Sequence, residues 1–256
     1  MSAHTFVTMG TVVSIRLAHT EPDDSRAVEA VSAAADVFEE FNARFSLYLD
    51  QSELSRISRG ELALADASTE MREAYSRAIA WRSRTNGDFT PHRPDGVIDL
   101  NGTIKAEAID AAARELRKHG FQHFSLNCGG DVLVSGKPES GSWVTGVVDP
   151  GPNNTLLSAV QHTGEWCAIA TSSITERGEH IWSRPETVTD AIFTQVSVVA
   201  DNIMTADVWA TAIMAGGQRA LDLAVVTDKL AVLAVKRDGE LVGNAHFRAL
   251  VARSDS

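Results

Sequence analysis

The sequence predicts an α+β fold, a mostly antiparallel sheet with helices packed against it. Three observations predict this. Helical and strand periodicities interleave without the regular strand–helix alternation of a parallel sheet. Strand signals dominate from about residue 123 to residue 200. The chain closes on two apolar segments joined through Asp238-Gly239, a strong hairpin signal. With 256 residues, 44% of them hydrophobic and 22% charged, the composition is that of a globular protein, which excludes fibres and disorder. No repeat, low-complexity tract or linker divides the chain, so one domain over 1–256 is expected.

In chain order, residues 6–17 alternate and are β-branched, which reads as a strand. Asp24 or Ser25 can cap a helix whose apolar stripe is Val28, Val31, Ala35, Phe38 and Phe41. A second helix carries Met71, Ala74, Tyr75, Ala78 and Ile79 and stops near Asn86-Gly87. A third runs from about Lys105 through Ile109, Ala113 and Leu116, with Gly120 as its stop. Strands follow at His123–Leu126, Val132–Val134, Trp143–Val148, Cys167–Thr171 and Gln195–Ala200. One helix is expected after Asn202 and another over Arg219–Val226, and the closing hairpin pairs Leu230–Lys236 with Leu241–Phe247.

Charge and cysteine content narrow the function classes. Lys plus Arg number 23 against 34 Asp plus Glu, a formal charge of -11, which argues against a nucleic-acid partner. An anionic ligand held by one local cation and a metal stays open. Two cysteines, Cys128 and Cys167, exclude a disulfide scaffold and a Cys-rich zinc site. The amino terminus lacks a basic region and an apolar run, and no stretch approaches 18 apolar residues. A cytoplasmic protein without membrane insertion is expected. No G-x-G-x-x-G follows a strand and no Walker A sequence occurs.

Four segments combine small, polar and charged residues in ways that chemistry uses. Asp99-Leu100-Asn101-Gly102-Thr103-Ile104-Lys105 leads into a helix, whose free N–H groups and lysine suit an anion; an ordinary capped helix has the same look. Asn127-Cys128-Gly129-Gly130-Asp131 is either a plain turn or a place where a ligand meets the backbone. In Met204–Ala212, Asp207 and Thr211 share a helix face, two hard oxygen donors that can make half of a Mg²⁺ site. Equally, Thr205 can cap that helix, with Asp207 near its positive end. His180, beside Glu179, is either a general base or a solvated loop histidine.

Taken in order, these segments resemble the FAD:protein FMN transferases, the ApbE-type flavin transferases. Met9-Gly10-Thr11 is similar to that family's opening Met-Gly-Thr, and Ser46-Leu47-Tyr48 with Ser52-Glu53-Leu54-Ser55 to its Ser-Thr-Tyr and Ser-Glu-Leu-Ser. Gly87-Asp88-Phe89-Thr90-Pro91 resembles Gly-Ala-Phe-Asp-Pro, and residues 99–110 resemble Asp-Leu-Gly-Gly-Ile-Ala-Lys-Gly-Tyr-Ala-Val-Asp. Asn127–Asp131, Ala170-Thr171-Ser172 and Met204–Ala212 complete the series. The resemblance implies a T-fold-related domain that moves FMN from FAD to a Ser or Thr hydroxyl of an acceptor protein, releasing AMP.

It also implies roles. Met9, Tyr48, Asp88, Phe89, Thr90, Asp99, Lys105 and Ile181 would bind FAD, with Tyr48 stacking on the adenine and Lys105 meeting a phosphate. Gly102 (through its carbonyl), Asp207 and Thr211 would hold Mg²⁺ or Mn²⁺, and His180 would be the base. The sequence departs from the family at Asn101, where a second glycine is usual, and at Ala106 and Glu107, where glycine and tyrosine stand. Glu107 thereby sets a carboxylate near the expected phosphates. Ser183 replaces the aspartate that follows the histidine. Three functions share these residues: the transferase, an FAD pyrophosphatase yielding FMN and AMP, and a non-catalytic FAD-binding protein.

Overall fold

In the computed structural model of the chain, residues 1–21, 24–149, 155–173 and 192–252 are described. The expected strand over 6–17 is a hairpin, β1 (Ser2–Thr8) and β2 (Thr11–Leu17). Its turn is Met9-Gly10, with φ of 48° and 71°, as a two-residue hairpin loop requires. Alternation runs through both arms, and methionine is not a usual turn residue, so periodicity alone reads one strand.

Helix α1 (Ser25–Phe45) is capped by Asp24, whose carboxylate accepts from the Arg26 N–H at 3.0 Å. Its buried face is Ala27, Ala30, Val31, Ala34, Phe38 and Phe45. The expected stripe is therefore rotated. Val28 is 56% exposed, while small alanines face α4 (Asn101–Lys118), itself buried through Ala106, Ala108, Ala112 and Ala113. Close approach between helices selects alanine over the larger apolar residues that a periodicity reading favours. Between them lie α2 (Glu53–Ser58) and α3 (Thr69–Arg84), which ends at Asn86 and Gly87, both at positive φ, as expected. Helix α4 begins ahead of Lys105 and stops before Gly120, at φ 90°.

The strands β3 (Phe124–Cys128), β4 (Asp131–Ser135), β5 (Val144–Val148), β7 (Ala168–Ser173) and β8 (Phe193–Ala200) fall where expected. β6 (Leu156–Gln161) was not signalled by the sequence. The two helices expected after Asn202 form one run, α5 (Ile203–Thr227), broken at Gly217 (φ 61°) and capped by Asn202 rather than Thr205. The closing hairpin is β9 (Ala231–Lys236) with a short β10 (Leu241–Gly243). Its second arm does not reach Phe247, because the Asn244 side chain accepts from the Phe247 N–H at 2.9 Å and starts α6 (Ala245–Leu250).

Eight strands form one antiparallel sheet in the order β1-β2-β3-β4-β7-β8-β9-β10, and β5–β6 is a separate hairpin. Strand alternation divides the apolar side chains between two cores. Leu126, Leu133, Val196, Val198 and Val232 face α1, α4 and α5. Val132, Val134, Ile169, Val199 and Leu233 face Trp143, Val160 and Phe247, from β5–β6 and α6. Both faces being covered, β4, β8 and β9 are buried almost along their whole lengths. The helical face carries the site.

Candidate functional site

A cavity of about 650 Å³ opens between the β1–β2 turn, the end of α1, the start of α4 and the middle of α5. Met9 lines it from the turn, and Asp88, Phe89 and Thr90 from the segment after α3. Asp99, Gly102 and Lys105 line it from the start of α4, and Thr211 from α5. Tyr48 stands at the rim, 75% exposed. Segments separated by more than two hundred positions in sequence are thus gathered at one opening.

The local causes are legible. Ser52 caps α2 and also donates to the Ser46 carbonyl, while the Glu53 carboxylate accepts from the Ser68 N–H and hydroxyl at 2.5 and 2.6 Å. The Ser-Glu-Leu-Ser segment thus fixes the loop carrying Tyr48 and does not itself line the cavity. Thr85 accepts the Phe89 N–H at 3.1 Å, and the Phe89 ring lies where a Gly102 side chain would be, 2.7 Å from an added Cβ. Only glycine allows that contact. Asp99 accepts from the Asn101 N–H at 2.9 Å and turns the chain into α4. Asp88 is paired with Arg219, just past the Gly217 break, and Gly216 leaves room for its carboxylate.

Lys105, the expected phosphate ligand, forms an ion pair with Asp131, a wholly buried carboxylate at the start of β4. Asp131 also accepts from the Thr171 N–H at 3.2 Å. Asp207 is fully buried one helical turn before Thr211, whose hydroxyl lies 3.2 Å from that of Ser172. These charges meet at Cys128. Burial pushes its thiol up to about 12, against the pull of Lys105 and with Asp131 and Asp207 adding to the rise. At neutral pH the thiol stays protonated, so it offers no nucleophile. Asp207 and Thr211, one helical turn apart on α5, offer a carboxylate and a hydroxyl, hard oxygens that suit a cation. No group of three or more His, Cys, Asp or Glu able to hold a metal occurs among the described residues. A cation there would complete its shell with hydroxyl, carbonyl and ligand oxygens, as Mg²⁺ does.

Asn127-Cys128-Gly129-Gly130-Asp131 is the β3–β4 turn, with Gly129 and Gly130 at φ 59° and 95°. A Cβ on Gly129 would fall 2.6 Å from the Thr11 hydroxyl, so the close approach belongs to Thr11. Glu107, expected beside the phosphates, instead pairs with Arg77 of α3 at 2.9 and 2.6 Å and does not line the cavity. An arginine across the helix pair draws it away. His180, Ile181 and Ser183 lie outside the described residues. Asp131 and Ser172 were quoted within motifs, yet their partners, Lys105 and Thr211, are tertiary neighbours that local sequence does not reveal.

Fold and cavity together define an α+β protein with a pocket of the size that small-molecule ligands occupy. The sequence matches the model of the ApbE family over residues 9–93 and 91–234, and the chain belongs to that family. Its fold is similar to that of the flavin transferase ApbE from Vibrio cholerae, with a TM-score of 0.78 at 21% identity, covering 97% of this chain and 98% of that one. The ApbE protein of Thermotoga maritima aligns with a TM-score of 0.78 at 18% identity, over 98% and 99% of the two chains. The flavinyl transferase ApbE of Pseudomonas stutzeri, in its apo form, gives 0.75 at 16%, over 98% and 97%. No curated protein is a significant match.

Proposed function

We propose that the protein transfers FMN from FAD to a Ser or Thr hydroxyl of an acceptor flavoprotein, releasing AMP. The observation that carries this reading is convergence. Met9, Tyr48, Asp88, Phe89, Thr90, Asp99, Gly102, Lys105 and Thr211, to which the family resemblance gives FAD- and metal-binding roles, line one cavity.

The chemistry is phosphoryl transfer. The acceptor oxygen bonds to the FMN-side phosphorus, the bond from that phosphorus to the bridging oxygen breaks, and the bridging oxygen leaves with AMP. The hydroxyl proton passes to a base, a role we assign to His180 on its motif. Lys105 has three N–H donors, so it can keep Asp131 while donating to a phosphate oxygen. Asp131 positions that ammonium at the wall. The exposed ring of Tyr48 offers a face to the adenine, and Met9 packs on the dinucleotide. Asp207, Thr211 and the Gly102 carbonyl would hold Mg²⁺ or Mn²⁺, and their hard-oxygen donor set fits such an ion. The metal, when bound, neutralises pyrophosphate charge and stabilises the departing AMP.

Among the described residues no helix is long and apolar enough to cross a membrane. Both cysteines are free, which fits the reducing, cytoplasmic setting we infer. The deciding experiment mixes the protein with FAD and Mg²⁺, with and without a co-expressed acceptor. Flavin mass on the acceptor with equimolar AMP is expected. FMN and AMP with an unmodified acceptor would mean that water attacks instead, and intact FAD would mean binding alone.

A further inference from the structure

The two edges of the eight-stranded sheet are built differently. One edge is β10, three residues long and ended by the Asn244 cap. The other is β1, Ser2–Thr8, paired with β2 in unbroken register over all seven residues. β1 contains no charge, no proline and no bulge, the devices that normally keep an edge from pairing with another chain.

Its register says which groups are available. Thr8 and Thr11 flank the two-residue turn and close it as a hydrogen-bonded pair, so Ser2, His4, Phe6 and Thr8 bond inward to β2. Ala3, Thr5 and Val7 therefore direct their N–H and C=O groups away from the sheet. Among the described residues, no backbone hydrogen bond from another segment reaches these three. All three side chains are exposed, Val7 by 75%, and Val7 sits opposite the exposed Val12.

The edge also leads to the site. β1 ends at the Met9-Gly10 turn, which lines the cavity beside Tyr48. At ~3.3 Å per residue, a strand paired with Thr5 and Val7 reaches that turn within about three more residues.

We propose that the acceptor polypeptide docks by adding an extended, uncharged segment to the β1 edge, which carries its Ser or Thr hydroxyl to the cavity mouth. The proposal rests on the transferase reading above. Backbone pairing supplies affinity without demanding one sequence, and the exposed Val7 favours a small or β-branched neighbour on the added strand. A second copy of this chain at the same edge is the competing occupant. Nothing about self-pairing would use the cavity at the strand's end, which is why the acceptor is preferred.

The test uses Thr5→Pro. The Thr5 N–H points outward, so the substitution removes an edge donor while sparing the β1–β2 ladder. The probe is a decapeptide library with one fixed threonine and randomised uncharged flanks, read by mass for added FMN. The variant is expected to label the library at least tenfold more slowly than the parent, with unchanged melting temperature, FAD affinity and peptide-independent AMP release. In the parent, amide exchange at Thr5 and Val7 should slow at least tenfold when a labelled peptide is returned at saturation. That second readout stands even if Thr5→Pro folds poorly. Equal labelling rates, or unprotected Thr5 and Val7 amides, would overturn strand addition. So would a parent that cleaves FAD yet labels no peptide, or a parent dimer that Thr5→Pro dissolves. A parent that neither binds nor cleaves FAD is the separate failure, and it removes the transferase reading along with the proposal.

Discussion

The two faces of the sheet bury different chemistry. On the helical face, Asp88, Asp131 and Asp207 are buried carboxylates, and Asp88 and Asp131 form ion pairs with Arg219 and Lys105, which line or adjoin the cavity. On the opposite face, the core of Trp143, Val147, Val160, Phe247 and Leu250 packs beside a titratable group of a different kind, His162, satisfied at both ring nitrogens. Buried charge is costly and is retained where it serves a ligand or a partner. The two faces differ by a single step along a strand, since Asp131 and Leu133 point one way and Val132 and Val134 the other. One face is therefore expected to govern chemistry and the other stability, and mutations can test that separation.

The largest effect is expected at Asp207. Asp207→Asn keeps the shape of a fully buried side chain while removing its charge. AMP release should fall at least about 10³-fold, near 4 kcal/mol of barrier, and EDTA should do the same to the parent. Thr211→Ala should cost less, because its hydroxyl is neutral. A variant that loses its thermal transition along with its activity would break the separation, since Asp207 would then be serving the fold.

Next is the opposite face. Phe247 is 2% exposed in the second core, and Phe247→Ala should cost about 3–5 kcal/mol of stability, read as a lower denaturant midpoint. FAD affinity of the folded fraction should not move. A weaker affinity would show that the second core shapes the cavity through the sheet.

Smaller still is Tyr48→Ala. A ring this exposed contributes little to the core, so the melting temperature should hold while FAD binding weakens by about 1–3 kcal/mol, the usual worth of stacking a base on an aromatic. Titration with unchanged affinity would remove Tyr48 from the site.

How much of this was legible in sequence depends on how local the cause is. Helix starts and stops were readable at Asp24, Asn86-Gly87 and Gly120, because caps and positive-φ turns are set by neighbouring residues. The residues that line the cavity were named through the family resemblance, which the family match bears out. Partnerships across the fold were not. Lys105 with Asp131, Asp88 with Arg219 and Glu107 with Arg77 each join elements far apart in the chain. The α1 stripe was misplaced for a related reason, since only packing against α4 says that alanine, not Val28, belongs inside.

The smallest effect belongs to His162, and it sharpens the comparison by giving the second face its own pH response. The Trp166 carbonyl can only accept, so at 2.9 Å it fixes the proton on Nδ1, leaving Nε2 to accept from the Thr145 hydroxyl at 2.8 Å. Burial lowers the imidazole's pKa from its ordinary 6.5, with the Trp166 hydrogen bond only partly offsetting the shift. The unfolded chain therefore takes up a proton near 6.5 that the folded chain refuses until a lower pH. The stability owed to neutral His162 is fully present above about 6.5 and drains away as pH falls through 6.5 toward the folded value. The slope is at most about 1.4 kcal/mol per pH unit. His162→Gln cannot titrate, so between pH 7 and pH 5 its denaturant midpoint should fall less steeply than the parent's. FAD affinity over the same range should change equally in both proteins. Parallel midpoint curves would show that His162 titrates alike folded and unfolded. A mutant that altered the pH dependence of FAD binding would couple the two faces that the sheet is expected to keep apart.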